Sequence, residues 1–171
     1  MKYRKSMPLM LAMAITLTII LVAPAQAKKP LVGMMDLEFN LAWSGPSEEV
    51  HEWSGTITIN GFDYYMEFFN IGTGKEGDQD PGKTLHFGEI WKIWENEDRD
   101  NLLLKGTDEG VVSLANNGYR MNGVVTEAYE SFAIWDGRNV HMSGYITWQN
   151  LGTEEDPIMA PQYAPGEFRI N

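Results

Sequence analysis

The sequence predicts an all-β fold, an antiparallel up-and-down barrel of about eight strands, with a two-sheet β-sandwich as the alternative. Three observations carry this. Apolar residues recur at every second position in run after run, tight-turn dipeptides separate the runs, and three runs repeat a glycine on their apolar face. Beyond residue 27 no window keeps the three-and-four spacing of an amphipathic helix.

The first 27 residues stand apart from that pattern. Lys2, Arg4 and Lys5 precede an apolar run from Met7 to Ala23, and Pro24-Ala25-Gln26-Ala27 follows with small residues at two alternate positions. Basic region, apolar core and small-x-small site form the secretory signal pattern, so 1–27 reads as a signal peptide cleaved after Ala27. An uncleaved membrane anchor is the alternative, since a spanning helix needs only ~18 residues. The expected location is secreted or extracytoplasmic. Residues 28–171 then form a single all-β barrel domain of 144 residues, with a Pro-containing C-terminal strap.

The chain has no cysteine, which excludes disulfides, thiolate metal sites and cysteine nucleophiles. Lys2, Arg4 and Lys5 are three of its thirteen basic residues. The chain from residue 28 therefore carries ten against 24 acidic residues, a net charge of −14. Such a charge repels nucleic acid and anionic lipid, so neither nucleic acid nor membrane is an expected partner after signal cleavage.

The strands are expected over 31–42, 49–59, 62–71, 84–94, 101–107, 111–115, 118–129 and 139–149. Trp53, Ile57 and Ile59 alternate with Glu52, Ser54, Thr56 and Thr58. Leu85, Phe87, Trp91 and Ile93 share one face of the next long run, and Val140, Met142, Ile146 and Trp148 share one face of the last. One dry and one wet face per strand is what an antiparallel sheet requires. Asn60-Gly61, Asn117-Gly118 and Asp136-Gly137 supply tight turns, and Asp108-Glu109-Gly110 reads as a further turn. A short stretch at 131–135 is expected to pair into the last hairpin. Pro157, Pro161 and Pro165 mark the tail as an extended strap before Glu167–Ile170.

Trp53-Ser-Gly-Thr-Ile-Thr58, Met121-Asn-Gly-Val-Val-Thr126 and Met142-Ser-Gly-Tyr-Ile-Thr147 place Gly55, Gly123 and Gly144 on apolar faces. Glycine inside a strand weakens it and marks a bend or a close approach. Repetition suggests a sheet coiled enough to close, and closure removes exposed edges. The segment from His86 to Val125, with LHFGEIWKIW, LLLKGTDEGVVSL and YRMNGVVTEA, resembles uncharacterised secreted β-barrel proteins similar to the allene oxide cyclase and dirigent-like barrels. The resemblance covers about a third of the chain beyond residue 27. It implies a barrel and assigns no catalytic residue.

Acid on otherwise apolar faces is the feature that suggests chemistry. Glu89 lies between Phe87 and Trp91, Glu127 is in step with Tyr119, Met121, Val125 and Tyr129, and Glu67 is in step with Tyr65 and Phe69. Carboxylates are rarely buried without a partner. If these strands face one lumen, Glu89, Glu127, Glu67, Tyr65, Trp91 and Tyr119 become candidate ligand-binding residues. Burial would raise the acids' pKa values. Glutamates wetted at strand ends are the alternative.

Other motifs carry less. His51, His86 and His141 lack metal spacing, so no metal site is expected. The acidic segments 78–82 and 95–101 supply oxygen ligands without the twelve-residue calcium pattern, and read as solvated hairpin tips. Nucleophile elbow, P-loop and dinucleotide motifs are absent, and no cofactor is implied. Trp43, Trp135 and Trp148 near strand ends are candidates for a stacking surface. The leading expectation is a barrel that binds a small apolar or hydroxylated ligand. A cofactor-free cyclase or isomerase in the same barrel is one alternative, and a cell-surface interaction module with a filled core is the other.

Overall fold

The computed structural model of the chain describes residues 29–43, 50–70, 84–156 and 158–171, with the backbone alone at 41–43, 50–52 and 70. The signal segment, the acidic loop 78–82 and the side chains of Trp43 and His51 lie outside the described residues. Ten strands and one short helix are found within them: β1 Leu31–Trp43, β2 Val50–Ile59, β3 Phe62–Asn70, β4 Thr84–Trp94, β5 Leu102–Ser113, β6 Gly118–Ala128, a 3-10 helix Glu130–Trp135, β7 Asn139–Tyr145, β8 Thr147–Asn150, β9 Met159–Tyr163 and β10 Gly166–Ile170.

Strands β1 to β7 pair in sequence order, and β10 inserts between β7 and β1. All pairings are antiparallel, from Leu31 opposite Ile170 at one seam edge to Gly166 opposite Gly144 at the other. The result is a closed eight-stranded antiparallel barrel. Strands β8 and β9 form an added hairpin that touches the ring where Tyr163 lies opposite Glu38. The sandwich alternative falls away because no sheet edge is left open between β1 and β7.

Local chemistry accounts for the turns. Asn60 and Gly61 have φ of 54° and 83°, the paired positive angles of a two-residue hairpin, and join β2 to β3. Asn117, at φ 59°, ends the turn between β5 and β6. Asp136-Gly137 instead follows the 3-10 helix, where the Arg138 N–H donates to the Trp135 carbonyl at 3.1 Å.

Three sequence expectations need correction. Asp108-Glu109-Gly110 is no turn: it lies within β5, which runs unbroken between β4 and β6 because both of its edges are fully paired. Residues 131–135 belong to the 3-10 helix, whose Phe132 and Trp135 turn inward to plug one mouth, with Phe132 edge-on to Tyr64 at 5.7 Å. The tail is sheet rather than strap, since β9 pairs with β8 around Pro161 and β10 closes the ring. Merging two expected strands into β5 and gaining β10 leaves the ring at eight.

Inside, Met35, Ile57, Met66, Trp91, Met142 and Phe168 are almost wholly removed from water. The Trp91 and Phe168 rings meet edge-on at 5.4 Å. At the opposite mouth Ile146 and Ala164 are buried and Trp148 packs on the core. Trp135 and Trp148 therefore close the two ends instead of forming a stacking surface. Three inward rings are admitted where the facing strand lacks a side chain. A Cβ on Gly106 would collide with the Trp91 indole, and one on Gly110 with the Phe87 ring. A Cβ on Gly144 would lie 2.6 Å from the Tyr119 hydroxyl.

This ring-on-glycine packing predicts that Gly106→Ala destabilises the barrel by about 1–3 kcal/mol, the usual cost of overpacking. Urea unfolding measures it. An alanine variant as stable as the parent would mean that indole and strand have room to separate.

Candidate functional site

Strand register sorts the six candidate residues. Trp91 on β4 lies opposite Phe68 and Gly106, Glu89 lies opposite Asp108, and Tyr119 on β6 lies opposite Val112 and Gly144. These positions alternate with the outward row and face the lumen. Glu89, Trp91 and Tyr119 are therefore brought together inside the barrel, with exposures of 3%, 0% and 5%.

Glu67, Tyr65 and Glu127 do not join them. Register links Glu38, Ser54, Glu67, Lys92, Lys105 and Glu127 as one row around the outside. Glu127 departs from the face of Val125 because β6 bulges. Lys105 pairs with Glu127 while Gly106 pairs with Val125, so Thr126 is extra and the alternation slips by one. On the outside Glu127 accepts from the Lys105 ammonium at 2.7 Å and the Tyr129 hydroxyl at 2.6 Å. Those contacts, Lys105 first, hold its carboxyl below the ordinary value.

Glu67 is outward yet buried, at 2% exposure. The end of β4 and the turn after it cover it: the Trp94 indole N–H and the Arg99 Nε–H each donate to its carboxylate at 2.9 Å. The Arg99 guanidinium also lies 5.4 Å from the Tyr65 ring centroid. Its bond to Glu67 raises the pKa of Arg99 above the usual guanidinium value. Arg99 holds a left-handed φ of 60° in this turn. Glu67 and Tyr65 thus anchor the 95–101 turn to the barrel wall. Within that turn Asn101 bonds to Glu95 and Asn96 to Asp100. Among the described residues no three His, Cys, Asp or Glu side chains are placed to share a metal ion.

The residue that sequence reasoning missed is Asp108. On β5, Leu104, Gly106, Asp108, Gly110 and Val112 occupy alternate positions and face inward, which places Asp108 between two glycines on an apolar face. The same period-two count already applied to Glu89 finds it once the Asp-Glu-Gly triplet is read as strand. Its Cα partner on β4 is Glu89 and its partner on β6 is Gly123. Directly opposed side chains stand with Cβ atoms about 5 Å apart, so the two carboxyl groups are neighbours. A Cβ on Gly123 would lie 2.7 Å from that of Asp108. That glycine leaves the carboxyl its place.

Asp108 is 4% exposed, and neither carboxylate oxygen has a hydrogen-bond partner in the protein. The Trp91 indole nitrogen, fully buried, also lacks one. Most buried polar groups are bonded, so each exception calls for a cause such as water or ligand. Burial pushes the Asp108 carboxyl up to about 7. Tyr119 is raised as well, by burial first and then by the Glu89 charge, and its hydroxyl donates to the Ala164 and Pro165 carbonyls at 3.5 and 3.4 Å. Among the described residues no Lys, Arg or His faces this lumen: Lys92 and Lys105 belong to the outer row, and His141 bonds to Asn122 outside. His86 is exposed.

An aspartate that ionises near 7 when folded and near 3.8 when unfolded weakens the fold as pH rises. The unfolded chain releases the proton first, so stability falls between about pH 4 and 7 and is level beyond. The fall is on the order of 4 kcal/mol. Asp108→Asn should abolish that part of the pH dependence, read as the difference between parent and variant unfolding free energies at pH 4.5 and pH 8. A difference that does not change with pH would mean that the folded carboxyl is already stabilised as an anion.

No protein-family model, curated protein or solved structure matches this chain.

Proposed function

We propose that residues 28–171 form an exported binding protein that holds a small molecule in the barrel lumen, with Asp108 and Glu89 as the polar anchor. The observation that carries this reading is the Asp108 carboxylate, buried with both oxygens unpartnered. A protein gains nothing structurally from such a group, which costs free energy until something donates to it. A ligand hydroxyl or amine would supply the donors, and the rings of Trp91, Phe87 and Phe68 would cover its apolar part. Eight-stranded barrels are of the width that either fills with side chains or holds one small ligand. Export rests on the N-terminal signal pattern, and the likeness of 86–125 to allene oxide cyclase and dirigent-like barrels is compatible with a lumen site.

One observation favours a second reading, a cofactor-free isomerase or cyclase. A carboxyl poised near neutrality beside a second carboxyl is the arrangement that acid–base proton transfer uses. Both readings place the ligand in the same space.

Methyl-labelled methionine NMR tests the common claim. Met35, Met66, Met121 and Met142 line the interior, whereas Met34 and Met159 are exposed. Screening the domain against a few hundred small amines, alcohols and acids should yield compounds that move the interior methyl signals and leave the exposed ones in place. Asp108→Ala should weaken those compounds by roughly tenfold or more. If only exposed methyl signals respond across the screen, the lumen is filled and the barrel acts through its surface.

A further inference from the structure

We propose that Asn60 is a site of spontaneous covalent modification, its side-chain amide being lost through a cyclic imide formed with Gly61. The reagents are the protein's own backbone and water, so the site is independent of what the lumen holds.

The chemistry is a ring closure followed by hydrolysis. The Gly61 backbone nitrogen attacks the Asn60 Cγ, a Cγ–N bond forms, and the Cγ–Nδ2 bond breaks. Ammonia leaves with the proton that the Gly61 nitrogen gives up, carried by solvent. Water then opens the imide. Attack at Cγ leaves aspartate. Attack at the Asn60 backbone carbonyl leaves isoaspartate, whose main chain runs through Cβ and Cγ. Closure needs a following residue without a Cβ in the way, a nitrogen not engaged as a donor, and a backbone able to turn.

The chain contains three Asn-Gly pairs, at 60–61, 117–118 and 122–123, and the fold holds them differently. Asn122-Gly123 lies inside β6, with Gly123 paired to Asp108 on one side and Val140 on the other. The Asn122 Oδ1 lies 2.9 Å from the His141 Nδ1, and the Thr107 carbonyl stands where a Gly123 Cβ would be. Nothing there rotates without opening the barrel. Asn117-Gly118 is a turn, but the Gly118 N–H donates to the Asn116 Oδ1 at 3.0 Å. The Asn117 carbonyl accepts from the Ile146 N–H at 2.8 Å. Nucleophile and carbonyl are both held. Asp136-Gly137, which closes to the same imide with loss of water, is held as well, since the Gly137 N–H donates to the Val125 carbonyl at 3.0 Å.

Asn60-Gly61 meets all three conditions. Both residues are exposed at the tip of the β2–β3 hairpin. Among the described residues the Gly61 N–H has no acceptor, and beyond its chain neighbours nothing lies within 4 Å of the position of a Gly61 Cβ. The turn can therefore rearrange without disturbing any packed group.

The same turn sets the consequence. Asn60 and Gly61 hold φ of 54° and 83°. Aspartate tolerates that geometry, so this product adds a negative charge and little else. Isoaspartate lengthens the main chain of a turn whose flanking residues, Ile59 and Phe62, stand directly opposite each other. Ile59 is buried in the core, so the longer turn loosens this end of the hairpin.

The folded protein is held at pH 8 in water labelled with heavy oxygen, beside a sample unfolded in urea. Both are digested in acid, and each Asn-Gly peptide is read by mass spectrometry for label and by enzymatic methylation for isoaspartate. In the folded protein Asn60 should take up label roughly tenfold or more faster than Asn117 and Asn122, because a turn tip opens with far less free energy than a paired strand. In urea the three should react at similar rates. Asn60→Gln, whose longer side chain closes the ring poorly, should remove the label from that peptide and leave the others unchanged. The folded and unfolded rates of the parent decide the matter even where the variant fails to fold. Label entering Asn117 or Asn122 as fast as Asn60 in the folded protein overturns the assignment. So does an inert Asn60 in a folded protein whose urea sample reacts, which would mean a locked turn. A preference for Asn60 that persists undiminished in urea overturns it too, since sequence and not fold would then select the site.

Discussion

Closure of the ring governs the rest of this molecule. Once β10 bonds to both β7 and β1, the bore is fixed by strand number and stagger, and inward side chains must share a set volume. An open sheet could relieve a large residue by flexing apart, but a closed one cannot. The barrel meets this limit at three of its rings by setting each against an absent side chain. Trp91 lies over Gly106, Phe87 over Gly110, and Tyr119 over Gly144 and Gly166. These glycines serve space rather than turning, and their cost in strand propensity is offset by the buried area of the rings they admit.

The same closure decides the fate of polar groups. Outside the ring a carboxylate can recruit partners from connecting segments. Glu67, outward yet covered, receives Trp94 from the end of β4 and Arg99 from the turn beyond it. Glu127 receives Lys105 and Tyr129 at the surface. Inside the ring no described turn reaches in, and the neighbours of Asp108 are hydrocarbon, thioether, ring and a second carboxyl, Glu89. Asp108 is therefore left with a rise in pKa in place of a partner. Two glutamates outside are thus partnered and an aspartate inside is not, because of which side of one sheet each occupies.

The fold was legible because alternation and Asn-Gly turns are local signals, and a meander converts local pairing directly into topology. The errors lie where a local signal had two physical meanings. Asp-Glu-Gly at 108–110 suits a turn, yet it also suits a strand in which Gly110 makes way for Phe87 and Asp108 faces inward. Only the neighbouring strand decides between them. The bulge at Thr126 has no composition of its own, so counting by twos carried Glu127 into the lumen where one extra residue turns it out. Proline suggested a strap for the tail, but β9 tolerates Pro161 because it touches the ring at a single position and is otherwise paired on one side. Glu89, Trp91 and Tyr119 were found because no bulge intervenes between them and their reference residues. Asp108 was hidden by its turn-like context.

Charge outside and charge inside are separate constraints on this molecule. Beyond residue 27 the chain carries a net charge of −14. That field raises the local concentration of cations and lowers that of anions, an effect that weakens with salt. The field alone gives no selectivity, because every small ion responds to it. The interior works by another rule: removing a polar group from water costs free energy unless a donor or acceptor meets it there. Asp108, buried among rings and thioethers with neither oxygen partnered, bears that cost in the folded barrel. The surface field acts over a distance and fades in salt, whereas the cost at Asp108 is local and is set by the walls of the ring.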